Sequence, residues 1–117
     1  MAEFHKLGTV DEVGPGKIKQ YIVDDRFVAL CNVEGEFHAF EDVCTHQFTH
    51  LSEGEFTDSE VTCPLHGAKF DVKTGAAKSL PAVKPVPKHE VKVENGNVYV
   101  ALNPKRVKVG GRRGLRR

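Results

Sequence analysis

The spacing of apolar residues constrains this chain more than any other feature. Short runs rich in β-branched and aromatic residues recur at intervals of roughly eight to twelve positions, separated by turn residues, and a sustained 3.6-residue period is nearly absent. The pattern predicts an antiparallel all-β domain with strands near 4–9, 17–23, 26–33, 36–41, 60–63, 68–72, 89–94 and 97–102. Asp24-Asp25, Glu34-Gly35 and Asn95-Gly96 read as hairpin turns. The last lies between EVKVE and NVYVA and is the preferred pair for a type I′ turn.

At 117 residues the chain has room for one domain and a modest core, but not for a substrate domain of any size beside it. Charge divides it further. Residues 1–103 carry ten Lys and Arg against sixteen Asp and Glu, whereas 104–117 carry seven Lys and Arg, no acid, and Gly110, Gly111 and Gly114. We therefore expect an acidic folded domain over 1–103 and a basic, disordered tail over 104–117, with no nucleic-acid partner. No apolar run approaches bilayer length, and the start, MAEFHKLGTV, lacks a basic and apolar leader, so a cytoplasmic location and no membrane partner are expected.

Two long stretches, 43–60 and 75–88, interrupt the strand rhythm, and long loops in a small β domain carry function or disorder. The second contains Pro81, Pro85 and Pro87, so it is expected to run extended over the surface, outside any central strand, as a lid. Cysteine is limited to Cys31, Cys44 and Cys63, an odd number that argues against a disulfide framework. Cys31 sits in the apolar run FVALC and reads as core packing.

Cys44-x-His46 and Cys63-x-x-His66 form two half-sites, each supplying one thiolate and one imidazole. Structural zinc usually takes like ligands from one local turn, as in CxxC or HxxxH, so a zinc module is the weaker reading. Two mixed pairs suit a binuclear cluster better, with both loops gripping it if the cysteines go to one iron and the histidines to the other. Replacing two thiolates by neutral imidazoles leaves the oxidised core uncharged and the reduced core at −1, which raises the potential relative to all-cysteine clusters. Gly67 allows a tight turn after His66, and Pro64 restricts the turn before it.

Cys44-Thr45-His46 together with Cys63-Pro64-Leu65-His66-Gly67-Ala68-Lys69-Phe70-Asp71 resembles the Rieske signature, and the similarity extends over nearly all of 4–102. The resemblance implies an antiparallel Rieske fold of three small stacked sheets with a two-loop cluster-binding tip and a proline-containing loop beside it. It implies one [2Fe–2S] cluster, with Cys44 and Cys63 on the buried iron and His46 and His66 on the outer iron, facing a docking partner.

High-potential members carry a disulfide between the two cluster loops, and serine and tyrosine hydroxyls near the cluster. The corresponding positions here are Thr49 and Leu65, and Ala68 and Phe70. A low potential is therefore expected, in a chain similar to the ferredoxin components of bacterial aromatic-ring-hydroxylating dioxygenase systems. Such a ferredoxin is an electron carrier, not an enzyme, and passes single electrons from a flavin-dependent NAD(P)H reductase to a terminal oxygenase. The alternatives are the cluster-bearing small subunit of another oxidoreductase, such as a nitrite reductase, and a redox-sensing binding protein.

The remaining histidines carry less. His38 reads as structural, His50 as an exposed loop residue without a role, and His5 and His89 give no signal. Glu41, Asp42, Glu53, Glu55, Asp58 and Glu60 flank the first loop and are expected either to form an acidic collar that steers partners or to be an ordinary solvated face.

Overall fold

Residue-by-residue alternation across a strand buried on both faces explains the architecture. The computed structural model describes residues 3–44, 49–64, 67–78 and 85–104. Among them the order is β1 (Phe4–Thr9), a 3₁₀ turn (Val10–Glu12), β2 (Ile18–Val23), β3 (Arg26–Val33), β4 (Glu36–Glu41) and a second 3₁₀ turn (Leu51–Glu53). Then follow β5 (Phe56–Thr57), β6 (Glu60–Thr62), β7 (Lys69–Asp71), β8 (Lys88–Glu94) and β9 (Asn97–Ala101). Every pairing is antiparallel.

β2, β3 and β4 form the middle layer. From it, Val28, Leu30 and Ala39 pack on one side with Val13, Val98 and Val100, under the sheet of β1, β9 and β8. Ala29, Cys31 and Phe40 pack on the other side with Leu51, Val61 and Phe70, against β5, β6 and β7. The run FVALC is apolar at both parities because β3 has no solvent face. The three-sheet expectation holds with one continuity: a short β4–β8 ladder, Ala39↔His89 and Phe40↔Lys88, joins the first two layers into a six-stranded sheet.

The hairpin turns match their chemistry. Both central residues have positive φ in each: Asp24 and Asp25 at 50° and 63°, Glu34 and Gly35 at 53° and 94°, Asn95 and Gly96 at 53° and 76°. That is what a type I′ turn demands, and Asp and Asn tolerate it better than other side chains.

Three local features depart from the sequence reading. β5 lies within the expected long loop, a two-residue strand set by Phe56↔Val61 and Thr57↔Glu60. Both 3₁₀ turns were unexpected. The end of the proline-rich stretch is tied to the sheet, because a proline lacks an N–H but keeps its acceptor: the Pro87 carbonyl accepts from Glu41 N–H at 2.9 Å. Val86 beside it is buried and donates to the Gly75 carbonyl at 2.8 Å. Pro81 and the rest of the expected lid through residue 84 lie outside the described residues, as do residues 105–117 of the tail.

Candidate metal centre

Cys44 follows β4, and Cys63 follows β6. Neither is in a disulfide, both are buried, and both belong to the same apolar cluster with Leu51, Ala68 and Phe70. Each cysteine closes its own loop in the same way. Cys44 N–H donates to the Thr49 carbonyl at 2.9 Å, and Cys63 N–H donates to the Ala68 carbonyl at 2.7 Å, in both cases five residues on. Gly67, at φ 76°, turns the second loop back and donates to the Cys63 carbonyl at 3.1 Å. The loops are also fastened to each other: Thr62 N–H, next to Cys63, donates to the Glu55 carbonyl at 2.8 Å, just past the end of the first loop.

The other expected ligands, His46 and His66, lie outside the described residues, with Thr45 and Leu65. Among the described residues no three His, Cys, Asp or Glu side chains gather as a metal set. The described half of the donor set fits an iron–sulfur group. Two buried thiols at the mouths of two loops, neither consumed in a disulfide, are the soft donors such a group requires.

Beneath the first loop sits a residue whose role sequence reasoning did not identify. Asp42 is fully buried, and its Oδ1 accepts from Ser52 N–H at 2.7 Å. Its Oδ2 accepts from the Ser52 hydroxyl at 2.5 Å and from Gln20 Nε2–H on β2 at 2.8 Å. The Asp42 carbonyl lies 2.9 Å from His50 Nδ1, which must carry the proton because a carbonyl only accepts. The His50 ring also lies 4.5 Å from that of Phe27. His50 is thus a partly buried brace for the loop, not an exposed residue without a role.

Glu41 is buried as well, paired with Arg26, so the expected collar loses Glu41 and Asp42. Glu53, Glu55 and Asp58 remain exposed, and Glu60 is half-buried. His89, which gave no signal, has a buried ring 3.3 Å from Glu41. Cys31 packs in the core as expected, its Sγ 3.6 Å from the His38 carbonyl, and burial pushes its thiol up to about 12. His38 is structural, bridging Glu36 at 3.2 Å and Lys88 Nζ at 3.1 Å. Burial lowers the pKa of Lys88 despite nearby negative groups.

A three-layered antiparallel domain whose two loops each open on a buried cysteine outside any disulfide, with His46 and His66 in the loop sequences, fits a small iron–sulfur protein. Comparison with known proteins narrows the class. The Rieske [2Fe-2S] domain model matches residues 3–90, and the chain belongs to that family, whose members hold one [2Fe–2S] cluster. The chain is 44% identical over 98 residues to the biphenyl dioxygenase ferredoxin subunit of Pseudomonas sp. (strain KKS102), covering 83% of this chain and 90% of the relative. The ferredoxin of carbazole 1,9a-dioxygenase from Nocardioides aromaticivorans IC177 superposes with a TM-score of 0.83 at 33% identity, covering 87% of this chain and all of that one. A chain from a solved complex of reduced oxygenase and oxidized ferredoxin in carbazole 1,9a-dioxygenase superposes with a TM-score of 0.80 at 37% identity, covering 84% and 92%.

Proposed function

We propose that this protein is a one-electron carrier of an aromatic-ring dioxygenase system, taking electrons from a flavin-dependent NAD(P)H reductase and delivering them to a terminal oxygenase. It acts in the cytoplasm as the ferredoxin component, not as the catalyst. Cys44, His46, Cys63 and His66 hold the [2Fe–2S] cluster. The carrying observation is the matched pair of loops, each closed by the backbone N–H of a buried cysteine outside any disulfide, in a chain whose relatives are ferredoxin components.

When bound, the cluster supplies reversible one-electron chemistry with no bond to substrate. The chain's residues do the rest. Cys44 and Cys63 anchor the group from the apolar core, which keeps water from the thiolate side. Each cysteine's N–H is engaged within its own loop, so the loops hold their shape through a change of charge. Exposed Glu53, Glu55 and Asp58 lie beyond the first loop, where they favour partners with basic surfaces. Among the described residues no helix is long and apolar enough to cross a membrane.

Visible absorption and EPR of the reduced protein test the cluster, since a zinc protein is silent in both. Cys44→Ala and Cys63→Ala are expected to abolish the signal, and His46→Ala and His66→Ala to abolish or transform it. Reconstitution with a reductase and an oxygenase tests the role. NAD(P)H-driven product formation that does not depend on this protein, with the cluster intact, would refute it.

A further inference from the structure

We propose that Asp42 is a positioning residue for the cluster: it fastens the loop that starts at Cys44, and its buried carboxylate charge opposes reduction. The inference rests on Cys44 being a cluster ligand.

Asp42 binds both limbs of that loop and the layer beneath. Its own N–H donates to the Phe27 carbonyl of β3 at 2.8 Å. Its carboxylate holds Gln20 of β2 at 2.8 Å and Ser52 of the returning limb twice, at 2.7 and 2.5 Å. Its carbonyl takes His50 at 2.9 Å. The segment from Val43 to Leu51, with Cys44 near its start, therefore begins and ends on contacts to one residue.

The hydrogen-bond pattern also suits a charged side chain. Three donors converge on the two oxygens, from Gln20 Nε2–H, Ser52 N–H and Ser52 O–H. Nothing in the set needs a proton from the carboxyl, so a carboxylate, an acceptor only, satisfies every one of these partners. Its side-chain hydrogen-bond partners among the described residues, Gln20 and Ser52, are both neutral. A carboxylate buried in this way is costly to keep, and packing alone does not call for it.

The cost makes sense beside a redox group. Asp42 and Cys44 are two positions apart, at most about 7 Å along the chain, which with the reach of the two side chains keeps the carboxylate within roughly 15 Å of a bound cluster. Oxidised, that cluster is neutral; reduced, it carries −1. A fixed negative charge at that range, at an effective dielectric constant of about 20, shifts a one-electron equilibrium toward the oxidised form on the order of tenfold. The low potential expected from the sequence would then have a cause inside this chain.

The test is redox titration of the cluster-loaded protein. Asp42→Asn keeps the size and removes the charge, and is expected to raise the reduced fraction at fixed potential about tenfold, equivalent to about 59 mV for one electron. Gln20→Lys brings an ammonium to the untouched carboxylate and is expected to move the midpoint in the same direction. Gln20→Leu, which keeps the charge, is expected to move it less than Gln20→Lys. If Asp42→Asn does not load cluster, the two Gln20 variants decide. A wild-type midpoint in loaded Asp42→Asn, or equal midpoints in Gln20→Lys and Gln20→Leu, would overturn the proposal. Retention of the cluster in Cys44→Ala would instead refute the ligand assignment on which it rests.

Discussion

Arg26 and Glu41 form a buried ion pair in the middle layer, with Arg26 Nη2 2.8 Å and Nε 3.2 Å from the same Glu41 Oε1. The pair is held from two further sides. Arg26 Nη1 donates to the Asn103 carbonyl at 2.6 Å, and Asn103 N–H donates to His89 Nδ1 at 2.9 Å. With Nδ1 accepting, the neutral His89 ring carries its proton on Nε2, which faces Glu41 Oε1 at 3.3 Å. The N–H···O geometry there is poor: the contact counts as close but leaves Nε2 without a well-formed hydrogen bond. Removing one partner strands the other as a buried charge. Glu41→Ala or Arg26→Ala is therefore expected to cost about 3–5 kcal/mol in denaturant unfolding, whereas Arg26→Met combined with Glu41→Leu costs much less.

The same pair sets a direction with pH. Burial pushes the Glu41 carboxyl up, but the nearby His89 ring and the hydrogen bonds and charge of the Arg26 guanidinium outweigh it, so its pKa lies below the ordinary value. A depressed carboxyl pKa adds stability that is complete above the unfolded value, about 4.3, and is lost as pH falls through the folded one. Melting temperature is expected to fall below about pH 5. Glu41→Gln should be less stable at neutral pH and show a shallower fall on acidification; parallel curves for the two proteins would contradict this.

The main strands were legible because local chemistry and burial agree in them. FVALC announces a strand covered on both faces, and Asn95-Gly96 fixes its hairpin without help from the rest of the fold. Cys44 and Cys63 stood out because a mixed Cys/His spacing has few other uses. β5 was hidden because a two-residue strand has no period of its own and exists only through its pairing with β6. Asp42 and Glu41 were placed on a collar or solvated face, and His89 gave no signal, for one reason: in sequence a polar residue shows no sign of burial, and only tertiary partners far along the chain, Gln20, Arg26 and Asn103, make burial tolerable.

Gly54 stands where the two loops meet. A Cβ there would collide with the Thr62 carbonyl oxygen and lie 3.2 Å from Pro64 Cδ. Both neighbours flank Cys63, so relief would have to come from the backbone of the second loop. Gly54→Ala is expected to cost about 1–3 kcal/mol and to lower iron content per chain. Full iron content with wild-type stability would show that the loops can separate freely.

Cys31 offers the converse case, a cysteine that should be dispensable. Burial holds it protonated, with a pKa pushed up to about 12, so it is a poor nucleophile. Alkylation of the folded protein at pH 8 is expected to spare it. Because its folded pKa is raised, its contribution to stability is complete below the ordinary cysteine value, about 8.5, and is lost as pH rises through the folded value. Cys31→Ala should keep the full visible spectrum, lose on the order of 1 kcal/mol to the small cavity, and destabilise less steeply in alkali. Loss of the cluster in that variant would place Cys31 in the ligand set.

The reduction potential is the prediction on which the family branch depends. Ala68 and Phe70 are both fully buried in the apolar cluster that contains Cys44 and Cys63, and neither carries a hydroxyl. Hydrogen bonds to cluster sulfur stabilise the more negative, reduced state, so their absence leaves that state less favoured. The midpoint is expected near the low end of the Rieske range, roughly −150 mV. Phe70→Tyr and Ala68→Ser each restore a donor within the same cluster of side chains and should raise the midpoint, the pair more than either alone. A wild-type midpoint well above zero would remove the protein from the low-potential branch. Midpoints unmoved by both substitutions in fully loaded protein would show that hydroxyls at these positions do not set the potential here.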